Sequence, residues 1–501
     1  GLGDVYKRQR LRRWLELLPE DAVAKSLPLM SARVYLAVYR GQDLEMVTVQ
    51  QQAERLLAEL SPESAEVQTT RAEFSVIQGL VDILVGQPTR AIATGRKSLE
   101  VLPPQALHIR SLAIATTAGG LPMQGELGHG IALIEKALAD PSWPAGLHTK
   151  MAHYLCVACF QEGDLGGVLR FAREYLPIAE QLDAAESLSF VRYHLGSAHY
   201  LRNELAQAES YLLALWQDRA TSAPTYLAMG IFALALIYLS QDRLVEAEQA
   251  IDRLSAQLRE TVYTFALAST VAFRVELALR TGDLAGARRL SQGVEFDLRP
   301  PTWFFYVPQL TPIKLLLAEG TGSSLDEART RLEALDEQMH KIRRNNVLID
   351  VLALQALVCD AQGDEVTGLQ KLRAALELGS IGGNIRTFVD LGAPMANLLL
   401  RLQEQEVGEG YTDYVHRILA AFPDGVRPGK ESELAPVRSG YQPPNGSLSD
   451  PLTRRELQIL KLLATGLSRQ EIAAKLVIAP GTVHTHTKNI YGKLDVRNRL
   501  Q

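Results

Sequence analysis

The sequence predicts an all-α chain: a long α-solenoid of helical pairs followed by a small helix-turn-helix domain. Three observations predict it. Leu and Ala dominate and aromatics are only 6% of 501 residues, which favours helices over sheets. One signature then recurs: a turn, a Leu, and a small or apolar residue three positions later. It stands at Leu127/Gly130, Leu165/Val168, Leu205/Ala208, Leu244/Ala247, Leu284/Ala287 and Leu325/Ala328, with leucines 38, 40, 39, 40 and 41 residues apart. A period near 40 with two helices per unit is a solenoid's, because a helix pair cannot bury its apolar face without a neighbour. Finally, the last fifty residues carry two capping boxes and three short runs of helical apolar spacing.

Taken in order, residues 1–9 (GLGDVYKRQ) have no helical periodicity and read as a non-native or disordered leader, such as an assembly scar. The basic cluster Lys7, Arg8, Arg10, Arg12 and Arg13 reads as a solvated helix start rather than a nucleic-acid arm. Residues 10–422 are the helical pairs. Their turns include Gly125-Glu126, Gly163-Asp164, Asn203-Glu204, Asp242-Arg243 and Gly282-Asp283, and weaker members stand at Leu44/Val47, Gly86 to Ala91, and Gly363-Asp364 to Gly368. The small residue lets the second helix of a pair approach the first. Residues 423–450 carry five prolines with Gly and Ser between them, and read as a flexible linker.

Residues 451–501 form the third part. Thr453 with Glu456 makes a capping box, so a helix starts at Arg454 and puts Leu457, Leu460, Leu463 and Ala464 on one face. Gly466 stops it. Ser468 with Glu471 caps a second helix whose buried side is Ile472, Ala473 and Leu476. After a turn at 477–479, a third helix opens with Pro480 at its first position, where a missing N–H costs little. Its inner face is Val483, His486, Ile490 and Leu494. In a helix-turn-helix, outward residues near the start of the recognition helix meet base edges, and residues further along meet phosphates. Here the first set is Thr482, His484, Thr485 and Lys488; the second is Asn489, Lys493, Arg497 and Arg499.

Composition narrows the function. Apolar content of 47% and charged content of 22% are ordinary for a globular protein. The longest apolar stretch, residues 226–239, suits a buried helix better than a membrane span. Three cysteines agree with a reducing cytoplasm rather than a disulfide scaffold. Residues 450–501 carry a net +5, against −10 for residues 1–449. A basic tail on an acidic body suits a nucleic-acid module joined to something that does not bind nucleic acid.

Residues 452–496 resemble the DNA-binding domain of LuxR-type transcription regulators. The resemblance rests on Leu452-Thr453-x-Arg455-Glu456, Gly466-Leu467-Ser468, Glu471-Ile472-Ala473, Thr482-Val483-x-x-His486, Asn489-Ile490 and Lys493-Leu494-x-Val496. Three features depart from it: Ala479 stands where the family has a capping Ser, His484 replaces a Lys or Arg, and Gln501 falls inside what would be the fourth helix. The repeats fit a tetratricopeptide register at Leu195, Gly196, Asn203 and Ala208 and at Leu234, Ala235, Tyr238 and Ala247, though their period exceeds about 34 residues, so they are tetratricopeptide-like. Residues 14–20 (WLELLPE) and 383–395 (GNIRTFVDLGAPM) resemble the two edges of the repeat region in MalT-like regulators, large ATP-binding LuxR-type activators. That resemblance implies a nucleotidase domain and a winged helix ahead of the repeats, so the chain is expected to be a fragment, with ATP as a cofactor only of a missing N-terminal nucleotidase domain. It also implies double-stranded promoter DNA and the transcription machinery as partners, a small-molecule or protein effector on the repeats, self-association when active, and no membrane. The alternatives are a helical-repeat interaction scaffold with a vestigial DNA-binding domain, and an ATPase-coupled switch.

Other chemistry is weak. No G-x-x-x-x-G-K-[ST] loop is present: Gly429-Lys430-Glu431 lacks the hydroxyl residue, and Gly95-Arg96-Lys97-Ser98 lies in a helical stretch. No cofactor or metal site and no catalytic constellation is expected, so the chain reads as a non-enzyme. His153, Cys156 and Cys159 share a helix face, as a metal trio or, preferably, as core packing. Cys359 likewise reads as core. Trp303-Phe304-Phe305-Tyr306 lines either an effector pocket or an inter-repeat core, and the core is favoured.

Overall fold

A computed structural model describes residues 11–423, apart from 12, 16, 41–42, 60–63, 183, 221, 262–263, 295, 297–303 and 405–410; beyond them it describes Ala473, Thr482, Val483 and Thr487. The chain divides into two units, Gly1–Gly429 and Lys430–Gln501. The leader at 1–9 and all but Pro423 of the linker lie outside the described residues.

The first unit is helical, with no strand among the described residues. After α1 (Glu20–Ala24), nine pairs of helices follow among those residues. They are α2 (Leu27–Arg40) with α3 (Asp43–Glu59), α4 (Ala65–Leu84) with α5 (Pro88–Val101), α6 (Leu107–Gly120) with α7 (Leu127–Leu138), and α8 (Ala145–Gln161) with α9 (Leu165–Gln181). Next come α10 (Ala185–Leu201) with α11 (Leu205–Gln217), α12 (Pro224–Ser240) with α13 (Leu244–Thr261), and α14 (Thr264–Arg280) with α15 (Leu284–Ser291). Then α16 (Leu310–Glu319) pairs with α17 (Gly322–Lys341) and α18 (Asn345–Ala361) with α19 (Glu365–Gly382); α20 (Arg386–Val389), α21 (Gly392–Glu404) and α22 (Thr412–Ala420) end the unit.

The recurring signature has a local cause. At each turn within a pair from α4/α5 onward, one residue adopts a left-handed backbone: Gly86, Gly125, Gly163, Asn203, Asp242, Gly282, Gly320 and Gly363, with φ between 59° and 84°. Asn and Asp are the non-glycine residues that tolerate this region best. In seven of the eight, the next N–H closes back on the carbonyl five residues earlier, as Asp164 does on Cys159 and Glu204 on His199, both near 2.9 Å. This closure satisfies a carbonyl that the helix end would orphan. The signature leucine is then the first residue of the second helix in α7, α9, α11, α13 and α15. The residue three later faces the partner helix: Val168, Ala208, Ala247, Ala287 and Ala328 are fully buried. At Gly130 a Cβ would stand 2.9 Å from the Ala118 carbonyl oxygen, so no larger residue fits. Leu325 departs from the pattern. Thr321 and Ser324 form a reciprocal capping box that starts α17 at Gly322, one turn before that leucine.

The second helices bury one stripe, as in α11 with Ala208, Leu212 and Leu215. The first helices α6, α8, α10, α12 and α18 are buried on most of their faces. Every residue from Tyr226 to Tyr238 in α12 is buried, which is where the long apolar stretch lies. Contacts also join pairs that are far apart along the chain. The α17–α18 corner, α19 and α20 lie along the row of turns. Arg344, fully buried, donates to the Ile83 carbonyl at 3.2 Å. Asn345 donates to Glu162 at 2.9 Å. A Cβ on Gly382 would overlap the Gly163 carbonyl oxygen. The Ile385 amide donates to the Leu201 carbonyl at 2.7 Å, and Arg386 to the Asn203 side chain at 3.3 Å. These contacts join residues more than 180 positions apart, so the first unit curls and closes on itself.

Candidate functional site

In the second unit, Thr482, Val483 and Thr487 are helical, as the sequence predicts for the third helix. Thr482 is exposed, whereas Val483 and Thr487 are buried. The Thr487 hydroxyl donates to the Val483 carbonyl at 2.7 Å. Residues four apart share a helix face, so Thr487 joins the inner face that the sequence assigned to Val483 and His486. Its hydroxyl hid it from an apolar-spacing argument, although the i+4 spacing was there to be read. Ala473 is buried. His484, Thr485, Lys488, Asn489, Lys493, Arg497 and Arg499 lie outside the described residues, as does His486.

In the first unit, charge concentrates where α10, α14, α16, α18 and α20 meet. Asp390 takes an ion pair from Arg386, another from Arg280 at 3.3 Å, and a hydrogen bond from the Tyr200 hydroxyl. Glu276 accepts from Arg280 at 2.9 Å and from Lys314 at 2.7 Å. Burial alone would raise both carboxyls, but Arg386 and Arg280 at Asp390, and Lys314 and Arg280 at Glu276, hold them below the usual carboxylate range. Asp350 is the contrast: burial pushes its carboxyl up to about 6. The cavity between these groups is only about 50 Å3, room for water rather than an effector.

A second polar cluster joins three pairs. The His153 Nδ1 lies 3.0 Å from His194 Nε2, and the Tyr226 hydroxyl lies 2.9 Å from His153 Nε2. His153 also stacks on Phe190 at 4.3 Å. Burial holds both imidazoles neutral, lowering His153 to about 3 and His194 well below its ordinary value. Cys156, Cys159 and Cys359 are buried free thiols, and burial raises the Cys159 thiol to about 12. Cys156 and Cys159 pack in an apolar core cluster with Leu155, Phe160 and Val168, and His153 is buried beside them, as in the core reading. Phe304 and Tyr306 of the aromatic run are core as well, and Trp303 lies outside the described residues. Phe304 packs edge-on against Tyr226 at 5.1 Å, and Tyr306 against Phe273 at 5.1 Å.

Comparison with known proteins fits both units. Residues 72–405 match the family model of the MalT-like TPR region, and residues 450–501 match that of bacterial regulatory proteins, luxR family. Curated relatives include the HTH-type transcriptional regulator MalT of Vibrio cholerae, 23% identical over 456 residues, covering 86% of this chain and 49% of that protein. The protein of the same name from Serratia proteamaculans is 25% identical over 521 residues, covering 98% of this chain and 55% of its own length. The chain spans about half the length of the curated relatives it matches. With well over half of its residues under the repeat model, and a helical unit of paired repeats that accounts for the match, this chain belongs to the family with the MalT-like TPR region.

Proposed function

We propose that this chain is the sensing and DNA-reading part of a transcription regulator. The observation that carries the reading is the match of residues 450–501 to the luxR family. The alternation along the third helix supports it: Thr482 faces out while Val483 and Thr487 face in. In this reading Thr485 and Lys488 turn outward with Thr482, toward base edges, with His484 beside them. Asn489, Lys493, Arg497 and Arg499 then stand nearer the phosphates. The same reading makes double-stranded promoter DNA and the transcription machinery the partners, places an effector on the repeats, and has the protein self-associate when active. It also makes the chain a cytoplasmic non-enzyme. Among the described residues no helix is long and apolar enough to cross a membrane. The reading gives this chain no ATP site of its own, since its sequence has no G-x-x-x-x-G-K-[ST] loop.

The test is fluorescence anisotropy on promoter DNA across a salt series. Lys488→Ala lowers the salt slope by about one unit if Lys488 meets a phosphate, or costs about 1–3 kcal/mol and relaxes preference at one position if it meets a base. His484→Lys tightens non-specific binding, because it adds a fixed positive charge. DNA binding unchanged by both substitutions would remove this helix as the reading head.

A further inference from the structure

Between α17, α18 and α19 lies a cleft of about 470 Å3, within the usual range for small-ligand and peptide sites. Its floor is apolar, formed by Leu332, Val358 and Cys359, all buried. The basic groups of the wall are already engaged. Lys371 donates to Asp336 at 3.1 Å, His340 lies 2.6 Å from the same carboxylate, and Arg329 donates to the Gln362 side chain. The free groups are mostly acceptors. Glu333 and Glu337 stand one turn apart on one face of α17, with Cβ atoms about 5–6 Å apart, and make no ion pair among the described residues. Gln355 is only 6% exposed. Its amide nitrogen donates to Asp336 at 3.0 Å, which leaves its buried carbonyl oxygen without a donor. Flipping that amide would set oxygen against carboxylate. One donor is also unmatched, the Arg329 Nε.

A ligand that completes this cleft needs several N–H groups on a cation, a stem that covers an apolar floor, and one carbonyl. A guanidinium offers five donors in a planar fork that matches carboxylates, and its three methylenes cover apolar surface. The carbonyl suits Arg329. We propose that this cleft binds an arginine side chain together with the carbonyl group of that same arginine, either as the free amino acid or within a peptide. The site is independent of DNA recognition and stands if that reading fails.

The test is calorimetry on the full chain with five probes: N-acetyl-arginine N-methylamide, the neutral citrulline analogue, agmatine, which lacks the carbonyl, free arginine, and the tripeptide Gly-Arg-Gly. The arginine amide should bind saturably and at least about tenfold tighter than the citrulline analogue, since charge-assisted bonds are the stronger ones. Glu333→Gln with Glu337→Gln should erase that difference; both side chains are exposed, so the fold tolerates them. Arg329→Met should weaken the amide but not agmatine. Free arginine that binds tighter than the amide and the tripeptide identifies the free amino acid as the source, and the tripeptide or amide binding tighter than free arginine identifies a peptide. No saturable binding of the arginine amide to folded chain, equal binding of the citrulline analogue, or affinity indifferent to the double variant would each overturn the assignment.

Discussion

Replacing Asp390 with Asn tests whether the closed form of the repeats depends on its buried charges. Asp390 is 8% exposed and answers two guanidiniums, Arg280 and Arg386, and the Tyr200 hydroxyl. An amide of the same shape keeps the packing but removes the negative charge. Arg280 retains Glu276 at 2.9 Å. Arg386 is left with the Asn203 side chain at 3.3 Å and the Tyr200 ring at 5.5 Å. Breaking a buried pair by removing one partner costs about 3–5 kcal/mol. The surviving Glu276 contact puts this case near the lower end, about 3 kcal/mol. The loss falls on the contacts that join α20 to α10 and α14, so closure should weaken before the helical pairs do. Hydrogen exchange reads this directly. The Ile385 amide, bonded to the Leu201 carbonyl across the closure, should exchange about a hundredfold faster in the variant, at 1.36 kcal/mol per tenfold. Amides inside α12 should change far less. Arg288→Gln, which breaks an exposed pair with Glu319, is the control and should cost under about 1 kcal/mol. If Ile385 exchange in Asp390→Asn stays within threefold of the parent chain, buried charge does not hold the closure.

Two further outcomes follow from packing and titration. Gly382→Ala should destabilise the first unit by more than about 1–3 kcal/mol in urea melts, because the new Cβ meets backbone atoms of Gly163 and Leu165, which cannot turn aside. Gly128→Ala, a helical site with open space around it, should be neutral or stabilising by up to about 1 kcal/mol, and similar values for the two would contradict the closed packing. For His153 the folded value of about 3 lies below the ordinary value of 6.5, so the unfolded chain takes the proton first as pH falls. Its contribution is complete above about pH 6.5 and is lost as pH falls toward 3, at a slope of up to about 1.4 kcal/mol per pH unit. His153→Gln should flatten the stability-against-pH curve by up to that slope, and an unchanged curve would mean the imidazole is not held neutral.

The sequence by itself determined whatever depends on nearest neighbours along the chain. The turn residue, the leucine that opens the second helix and the small residue facing the first helix lie within about ten positions of one another, so a 40-residue period exposes them. Capping chemistry and apolar spacing likewise marked the third helix of the second unit, down to Val483 on its inner face. The buried cysteines were legible as core for the same reason: apolar side chains on a helix face seek the adjacent repeat. Tertiary structure alone decided the closure. Asp390, Arg280 and Tyr200 carry no common spacing, and a charged residue in an isolated helix reads as a solvated one. Only when residues 344–390 lie against turns up to 261 positions earlier do these charges become buried and mutually necessary. The same holds for Gly382, whose missing side chain has no meaning in its own helix and is explained by the Gly163 carbonyl against it. Contacts at that separation follow from how many small rotations between successive pairs add up. No single repeat encodes that sum.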